Sequence, residues 1–554
     1  MNRQSAADNM ITTPAEILYI LFYCIILSGK AFGLAEDSSL YRILLFAGLL
    51  FLFIKTLLTE YTKSSLLLTI TVYCIAIFSY VRSKDLGFLL CCAVLIGIYK
   101  CQLKHVLVPV VYLWGGAFVF MTIATQAGLL QDHYYVHDKT GLGYIVRNSF
   151  GYPHPNVLHI SFLMITCLVM YLWGRGKKNS LRLTFLLALS NIYVFIYSVS
   201  FTGFLISIIY LLLNYIVEVR IANSRAEGHL GHVFDLLMIL VFPICVLFSV
   251  AGPVTFHGAL YDLSDKIVHH RFVLSNFYLT QEKMTLFGHV LSHTPDANRS
   301  IDCSYVYLLV HNGLVPFILI CIIYMSAIWS CIRKHEYRRV CVILACAIAG
   351  ITEPFLFNTS FKNISLIFAG DCLFHMLPLQ AKDRKSICLI PFMNRSITLR
   401  RVRTLHYNIG QLSQKSGAAF RKHRTAIFLL CTGSFLCTLL IAPRFMLQHT
   451  GVLIPTEYCS DGYPDPPHTY TAAELKMFQE EGIRLLSCEP GKELALFQGK
   501  TIVYENVRTV NNLAVCVTLL TLIIILLVAC MHDLKPESHA VCSEDAADTD
   551  HPLH

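Results

Sequence analysis

Apolar runs of about 20 residues recur from one end of this chain to the other, each long enough to cross ~30 Å of hydrocarbon as a helix. They start near residues 16, 40, 64, 86, 105, 157, 183, 203, 235, 303, 340, 363, 426 and 510. In lipid every backbone N–H and C=O must be satisfied within the segment, so such runs can only be helices. The expected fold class is therefore all-α: a polytopic integral membrane bundle of about fourteen transmembrane helices with long extracytoplasmic loops. Composition excludes the soluble alternative, because only 14% of residues are charged and 55% are hydrophobic, against about 25% charged in ordinary soluble domains. The first run is read as a retained span and not a signal peptide: Met1 to Met10 carries Arg3 as its one side-chain cation, and no small-residue cleavage site follows.

Lys and Arg in short connections stay on the cytoplasmic side. An N-terminus and a C-terminus inside the cell place Arg175, Lys177, Lys178 and Arg182 inside, with Arg333, Lys334, Arg338 and Arg339. Arg82 and Lys84 fall on the other side. The net charge of +9 is then mostly topology and attraction to the inner leaflet, and no nucleic-acid partner is implied. The expected organisation is a membrane domain over 1–380 of about twelve helices, a basic cytoplasmic linker over 381–425, and residues 426–531 as two more helices flanking a small extracytoplasmic domain (447–508). An acidic, disordered cytoplasmic tail over 532–554 completes it.

Three outer segments are too long to be simple connectors: 125–156, 253–302 and 447–508. In the third, Thr471 and Glu474 form a capping-box signature opening a helix to Leu486, and Leu494 to Val507 reads as a short hairpin. Most of the 21 cysteines lie in apolar runs, where a thiol behaves as a small hydrophobe. Cys459 and Cys488 share the third outer segment, where a bridge is permitted but not dictated. Gly499-Lys500-Thr501 ends like a phosphate-binding loop, but Leu494 stands where the first glycine is required. No zinc motif and no serine elbow is present, and nothing read here calls for a metal or a cofactor.

The most informative cluster is Arg147-Asn148-Ser149-Phe150-Gly151-Tyr152-Pro153-His154-Pro155-Asn156, which leads directly into an apolar run. Two prolines hold His154 stiffly, Asn156 is placed to N-cap the helix, and Arg147 offers a forked donor suited to diphosphate oxygens. A polar re-entrant turn packed under the loop would have the same residues. Glu353 precedes Pro354 near an outer membrane face, where a carboxylate is costly unless wet or paired. Asp302 is either a functional acid or the N-cap of its helix. His269 and His270 lie beside Arg271, on a loop that is either anion-binding or merely solvated.

These residues also carry a resemblance to the O-antigen polymerase and ligase family, closest to the repeat-unit polymerases of capsule and exopolysaccharide synthesis. The pattern Arg-x-Ser-x-Gly-x-x-His-Pro-Asn of 147–156 is the sharpest part. Ser200-Phe201-Thr202-Gly203 is similar to the family's Ser-Arg-Thr-Gly, and Leu263-Ser264-Asp265-Lys266 to its Leu-Ser-Gly-Arg. Leu286-Phe287-Gly288, Asp302-Cys303-Ser304-Tyr305, Asn312-Gly313 and Glu353 with Asn358 and Asn363 follow in the family's order. The resemblance covers roughly residues 15 to 380, and Phe201 and Lys266 depart from it where the family has arginine.

The resemblance implies a membrane glycosyltransferase that polymerises undecaprenyl diphosphate-linked oligosaccharide repeat units at the outer face of the cytoplasmic membrane. It implies His154, Glu353 and Asp302 as candidate catalytic residues. It implies Arg147, Asn156, Lys266, Arg271 and Tyr305 as candidate diphosphate or substrate ligands. Its expected partners are the bilayer, the lipid-linked oligosaccharide, a flippase and a chain-length regulator. A ligase moving finished glycan to another acceptor uses the same chemistry. A flippase for the same lipid would share the helix count, but the paired repeats and broken helices of transporters are not evident in the sequence.

Overall fold

The computed structural model describes residues 9–139, 143–222, 229–292, 301–376, 387–388, 397–400, 424–445, 449–459, 462–498 and 510–525 except 519 and 523. It divides into two compact units. The larger comprises Ile11–Tyr135 and Arg147–Thr398, the smaller Met1–Met10, Val136–Val146 and Leu399–His554.

The larger unit is helical. Its elements are α1 (Pro14–Ala31), α2 (Ser39–Leu58), α3 (Lys63–Ser83), α4 (Gly87–Gly97), α5 (Leu103–Gln126), α6 (Pro155–Trp173), α7 (Lys177–Ser198), α8 (Phe201–Ala222) and α9 (His229–Val250). Then follow α10 (Gly252–Thr255), α11 (Ala259–Ile267), α12 (Arg271–Gln281), α13 (Ser304–Tyr307), α14 (Leu314–Arg333), α15 (Tyr337–Ala349) and α16 (Ser365–His375). Among the described residues, nine helices are long and apolar enough to cross a membrane: α1, α2, α3, α5, α6, α7, α8, α9 and α14. The chain is thus a membrane protein by length and composition of its helices.

The runs at 86, 340 and 363 do form helices, but short ones, of 11, 13 and 11 residues. At about 1.5 Å per residue none reaches ~30 Å. They are apolar on nearly every side because protein surrounds them: all of Leu90–Gly97 and Val340–Ala347 is buried. Apolarity all round a helix does not distinguish a lipid-facing span from a helix at the centre of a bundle. Gly370 shows how closely these core helices approach, since a Cβ there would lie 2.2 Å from the Leu95 carbonyl oxygen.

The run at 303 is broken, contrary to expectation. After α13 the chain widens into a π turn over Leu308–Asn312 and stops at Gly313, whose φ of +104° only glycine tolerates well. The break is stitched to the α3–α4 turn: Ser79 Oγ donates to the Asn312 carbonyl (2.9 Å) and Asn312 Nδ2 to Asp85 Oδ2 (3.1 Å). The two sequence motifs Leu286-Phe287-Gly288 and Asn312-Gly313 meet here. Val315 N donates to Leu286 O at 2.9 Å, and a Cβ on Gly288 would lie 2.1 Å from His311 O. We expect Gly288→Ala to force two backbones apart and to yield no monodisperse protein in detergent. Gly116→Ala, with nothing within 4 Å of the added carbon, is expected to purify normally, and size-exclusion profiles compare the two.

The expected loop 253–302 is folded where described, as α10 to α12. His269 and His270 take consecutive positive φ values, 51° and 64°, turning the chain so that Asp265 Oδ1 accepts from Phe272 N (3.1 Å) and Val273 N (3.2 Å). His270 Nδ1 lies 2.8 Å from Asp265 Oδ2. This pair of histidines therefore shapes the start of α12, where the sequence left anion binding open.

In the smaller unit a four-stranded sheet runs in the order His468–Thr469, Glu493–Phe497, Gly451–Pro455, Ile483–Leu485, with only the last pair parallel. Leu475 of the helix Ala472–Glu480 packs with Leu453, Ile483 and Leu494. The capping box forms as read: Glu474 N donates to Thr471 Oγ1, and Thr471 N to Glu474 Oε2 at 2.7 Å. The helix read to Leu486 ends at Glu480, and most of the hairpin read over Leu494 to Val507 lies outside the described residues. Residues 493–497 pair with two distant strands, because their apolar face completes this core. Cys459 and Cys488 are free thiols, on the carbonyls of Pro455 and Leu453 respectively. The acidic tail and nearly all of the basic linker also lie outside the described residues.

Candidate functional site

The segment 147–156 owes its shape to an aspartate that sequence reading passed over. Asp132 is buried, and its carboxylate accepts from Ser149 N (3.2 Å), Ser149 Oγ (3.2 Å), Gly151 N (3.1 Å) and Asn148 Nδ2 (2.9 Å). Four donors on one carboxylate hold a tight turn in which Phe150 and Gly151 both have positive φ. Pro155 then occupies the first position of α6, and His154, not Asn156, is its N-cap: Asn156 N donates to His154 Nδ1 at 3.1 Å. The His154 ring lies against Tyr135, with centroids 4.7 Å apart. The histidine read as a candidate base thus shapes the helix start.

With the cap supplied by His154, the Asn156 side chain is free to bridge two charged groups. Arg147 donates from Nη2 to Asn156 Oδ1 at 2.7 Å and from Nε to the Ser198 carbonyl at 2.7 Å. Asn156 Nδ2 donates in turn to Glu353 Oε1 at 3.1 Å. Arg147 is only 4% exposed, so the fork expected to grip a diphosphate holds the protein's own groups. Residues 147, 156 and 353, far apart in sequence, form one chain of hydrogen bonds.

Glu353 is buried, and its backbone carbonyl accepts from Ser304 Oγ at 2.6 Å. Ser304 Oγ also receives Leu356 N, fixing the loop between α15 and α16 on which the carboxyl sits. Burial pushes the Glu353 carboxyl up to about 7, with Asp302 adding to the rise and Arg271, Lys362 and Arg147 opposing it. Asp302 does not cap its helix. Cys303 stands at that position, and Asp302 instead pairs with Arg271 at 3.4 Å, so both bear on the glutamate as charges.

A cavity of about 320 Å³ opens against this carboxyl, lined among others by Lys30, Glu36, Pro153, Val157, Glu353 and Lys362. Lys30 is paired with Glu36 (3.6 Å) and lies 4.0 Å from the Tyr41 ring centroid. Lys362 is 5% exposed, and no hydrogen bond or ion pair joins it to any other described residue. Its burial lowers the ammonium to about 7, Lys30 adding to the fall. A buried acid and a buried base poised near neutrality, in one cavity, form an arrangement suited to moving a proton beside an anionic group.

Two other candidates are not part of this group. Lys266 is exposed on α11, and no described bond ties it to the cluster. Tyr305 is 1% exposed with its hydroxyl donating to Ala347 O at 2.7 Å, which leaves it a packing residue. The signal for Lys362 was present in the sequence, as it is the one charge between Glu353 and Asp371. His159 was also missed. It is fully buried between Ser198 Oγ (2.9 Å) and Asn191 Oδ1 (2.8 Å), with Gly203 so close that a Cβ would lie 2.7 Å from the ring. That contact accounts for the glycine of Ser200-Phe201-Thr202-Gly203.

Among the described residues, one group has donors close enough to share a metal ion: Cys331, Glu336 and Cys372. The guanidinium of Arg339, 3.8 Å from Cys372 Sγ and 2.6 Å from Asp371 Oδ2, already occupies that neighbourhood as a cation. Against known protein families, curated proteins and solved structures the chain shows no match.

Proposed function

We propose that this chain is a membrane glycosyltransferase that polymerises undecaprenyl diphosphate-linked oligosaccharides. The observation that carries the reading is the buried Glu353 carboxyl, held by Asn156 and facing a cavity that also contains the unpaired Lys362. Glu353 takes the proton of the acceptor sugar hydroxyl as that oxygen forms its bond to the donor's anomeric carbon. The bond from that carbon to the lipid diphosphate breaks, and the electron pair leaves with the diphosphate toward Lys362. No nucleotide sugar is needed, since the diphosphate is activator and leaving group together. In this reading the nine long helices with the short helices α4, α15 and α16 form the membrane domain of about twelve, and the apolar helices near 426 and 510 are two further spans, about fourteen in all. It sits in the cytoplasmic membrane with both termini inside, and a flippase and a chain-length regulator are its neighbours.

The test is reconstitution. Purified protein in lipid, given a synthetic undecaprenyl-diphosphate repeat unit, is expected to produce a ladder of polymers on a gel. No product from protein that still moves the same lipid between leaflets would replace the enzyme with a carrier, a class to which the broken helix at Gly313 is not foreign. Transfer of a single finished glycan without a ladder would indicate the ligase.

A further inference from the structure

At the other end of α6 lies a second and larger cavity, of about 610 Å³, lined among others by Lys104, Arg175, Glu218, His335, Arg338 and Arg339. It forms where α5 begins, α6 ends, α7 begins and α14 turns into α15. The 19 residues of α6 separate it from the Glu353 cavity by roughly 28 Å at 1.5 Å per residue, close to the thickness of a hydrocarbon core.

Its charge is not balanced. Four Lys or Arg side chains line it (104, 175, 338 and 339) against two glutamates (218 and 336), and Asp371 engages Arg339 at 2.6 Å, which leaves a surplus of one positive charge. Both acids are already engaged. Glu218 accepts from Gly176 N at 2.7 Å and from Arg338 Nε, and Glu336 pairs with Arg339 at 3.3 Å. Arg338 Nη2 is nevertheless buried without a hydrogen-bond partner. Lys104 and Arg175 are exposed, and no described acid pairs with either. The unmatched cationic donors therefore sit on three side chains at one cavity, Lys104, Arg175 and Arg338, where the oxygens of a phosphate group would satisfy them. Next to it Trp173 is exposed and stacks edge-on with Tyr112 at 6.1 Å, the aromatic signature of headgroup depth.

We propose that this cavity binds a phosphate or diphosphate group at the membrane interface, a site separate from the Glu353 cavity and independent of the reading given to it. The source of that group is either the headgroup of an anionic phospholipid or a soluble phosphate, and the two are separable by experiment.

Full-length protein in detergent would be exposed to phosphatidylglycerol or phosphatidylcholine and its bound lipid counted by native mass spectrometry. In parallel, inorganic pyrophosphate would be titrated in by calorimetry. The variant is Lys104→Gln with Arg175→Gln, both exposed and outside the buried ion pairs. The control is Arg82→Gln with Lys84→Gln, the same loss of charge at the end of α3. With each basic residue contributing roughly fivefold to binding, the cavity variant, which loses two, is expected to weaken binding roughly thirty-fold while the control does not. Loss confined to phosphatidylglycerol identifies a lipid site, and loss of pyrophosphate binding a soluble one; either supports the proposal. It is overturned if neither ligand binds the native protein, or if cavity variant and control retain ligand equally.

Discussion

Glu353→Gln is expected to abolish polymer formation in the reconstituted assay, a fall of about 10²- to 10⁴-fold for loss of a general base, while making the protein more stable in mild alkali. Both effects come from the same burial. The amide oxygen of glutamine still accepts from Asn156 Nδ2, so the chain from Arg147 through Asn156 is kept. What disappears is the ionisation. The folded carboxyl titrates near 7, against about 4.3 when unfolded, so the folded state holds the proton more tightly. The stability this confers is fully present below the unfolded value and is lost as pH rises through about 7. Above that, native Glu353 carries an ionisation cost of roughly 4 kcal/mol, which glutamine avoids. Melting curves in detergent should show the variant above the native protein at pH 8.5 and level with it at pH 4. A variant that polymerises at the native rate would remove Glu353 from the chemistry. Equal melting at pH 8.5 would show that the carboxyl is not buried.

How far this arrangement could be read beforehand depends on which interactions are local. Apolar length and capping are local, so the positions of the helices and the Thr471 and Glu474 box followed from sequence. The segment 147–156 was also legible as a constrained turn, because two prolines and Gly151 declare it. Its internal assignment was not. Whether His154 or Asn156 caps α6 depends on one residue of offset, and the answer turns on Asn156 being drawn toward Arg147 and Glu353, a contact across 197 positions. Asp132 and His159 stayed invisible for the same reason, since what defines them is a set of partners brought by other segments. Lys266 and Arg147 were expected to hold a diphosphate because of their charge. Charge alone does not say whether a cation faces a cavity, and here Lys362 does so while Arg147 holds the protein together. The short helices at 87, 337 and 365 were misread in length because a centre surrounded by protein and one surrounded by lipid select the same side chains.

Lys362 supplies the other large effect, in the pH dependence. The proposed mechanism requires Glu353 ionised and Lys362 protonated. Burial raises the first and lowers the second, each to about 7. The profile of kcat/KM, which reports the free enzyme, should therefore be a narrow bell centred near 7, falling roughly threefold one pH unit to either side. Bound diphosphate favours the ammonium, so the falling limb in kcat should move to higher pH than in kcat/KM. Lys362→Met is expected to remove the falling limb and to lower kcat/KM by about 10- to 100-fold through lost stabilisation of the leaving diphosphate. Its stability should change on the opposite side from that of Glu353→Gln. A lysine whose folded value is depressed contributes stability that is present above its unfolded value of about 10.4 and lost as pH falls through about 7. Methionine carries no such cost, so the variant should melt above the native protein at pH 6 and level with it near pH 11. A profile that stays flat from pH 6 to 8, with the methionine variant active at the native rate, would mean that the cavity beside Glu353 does not receive the phosphate.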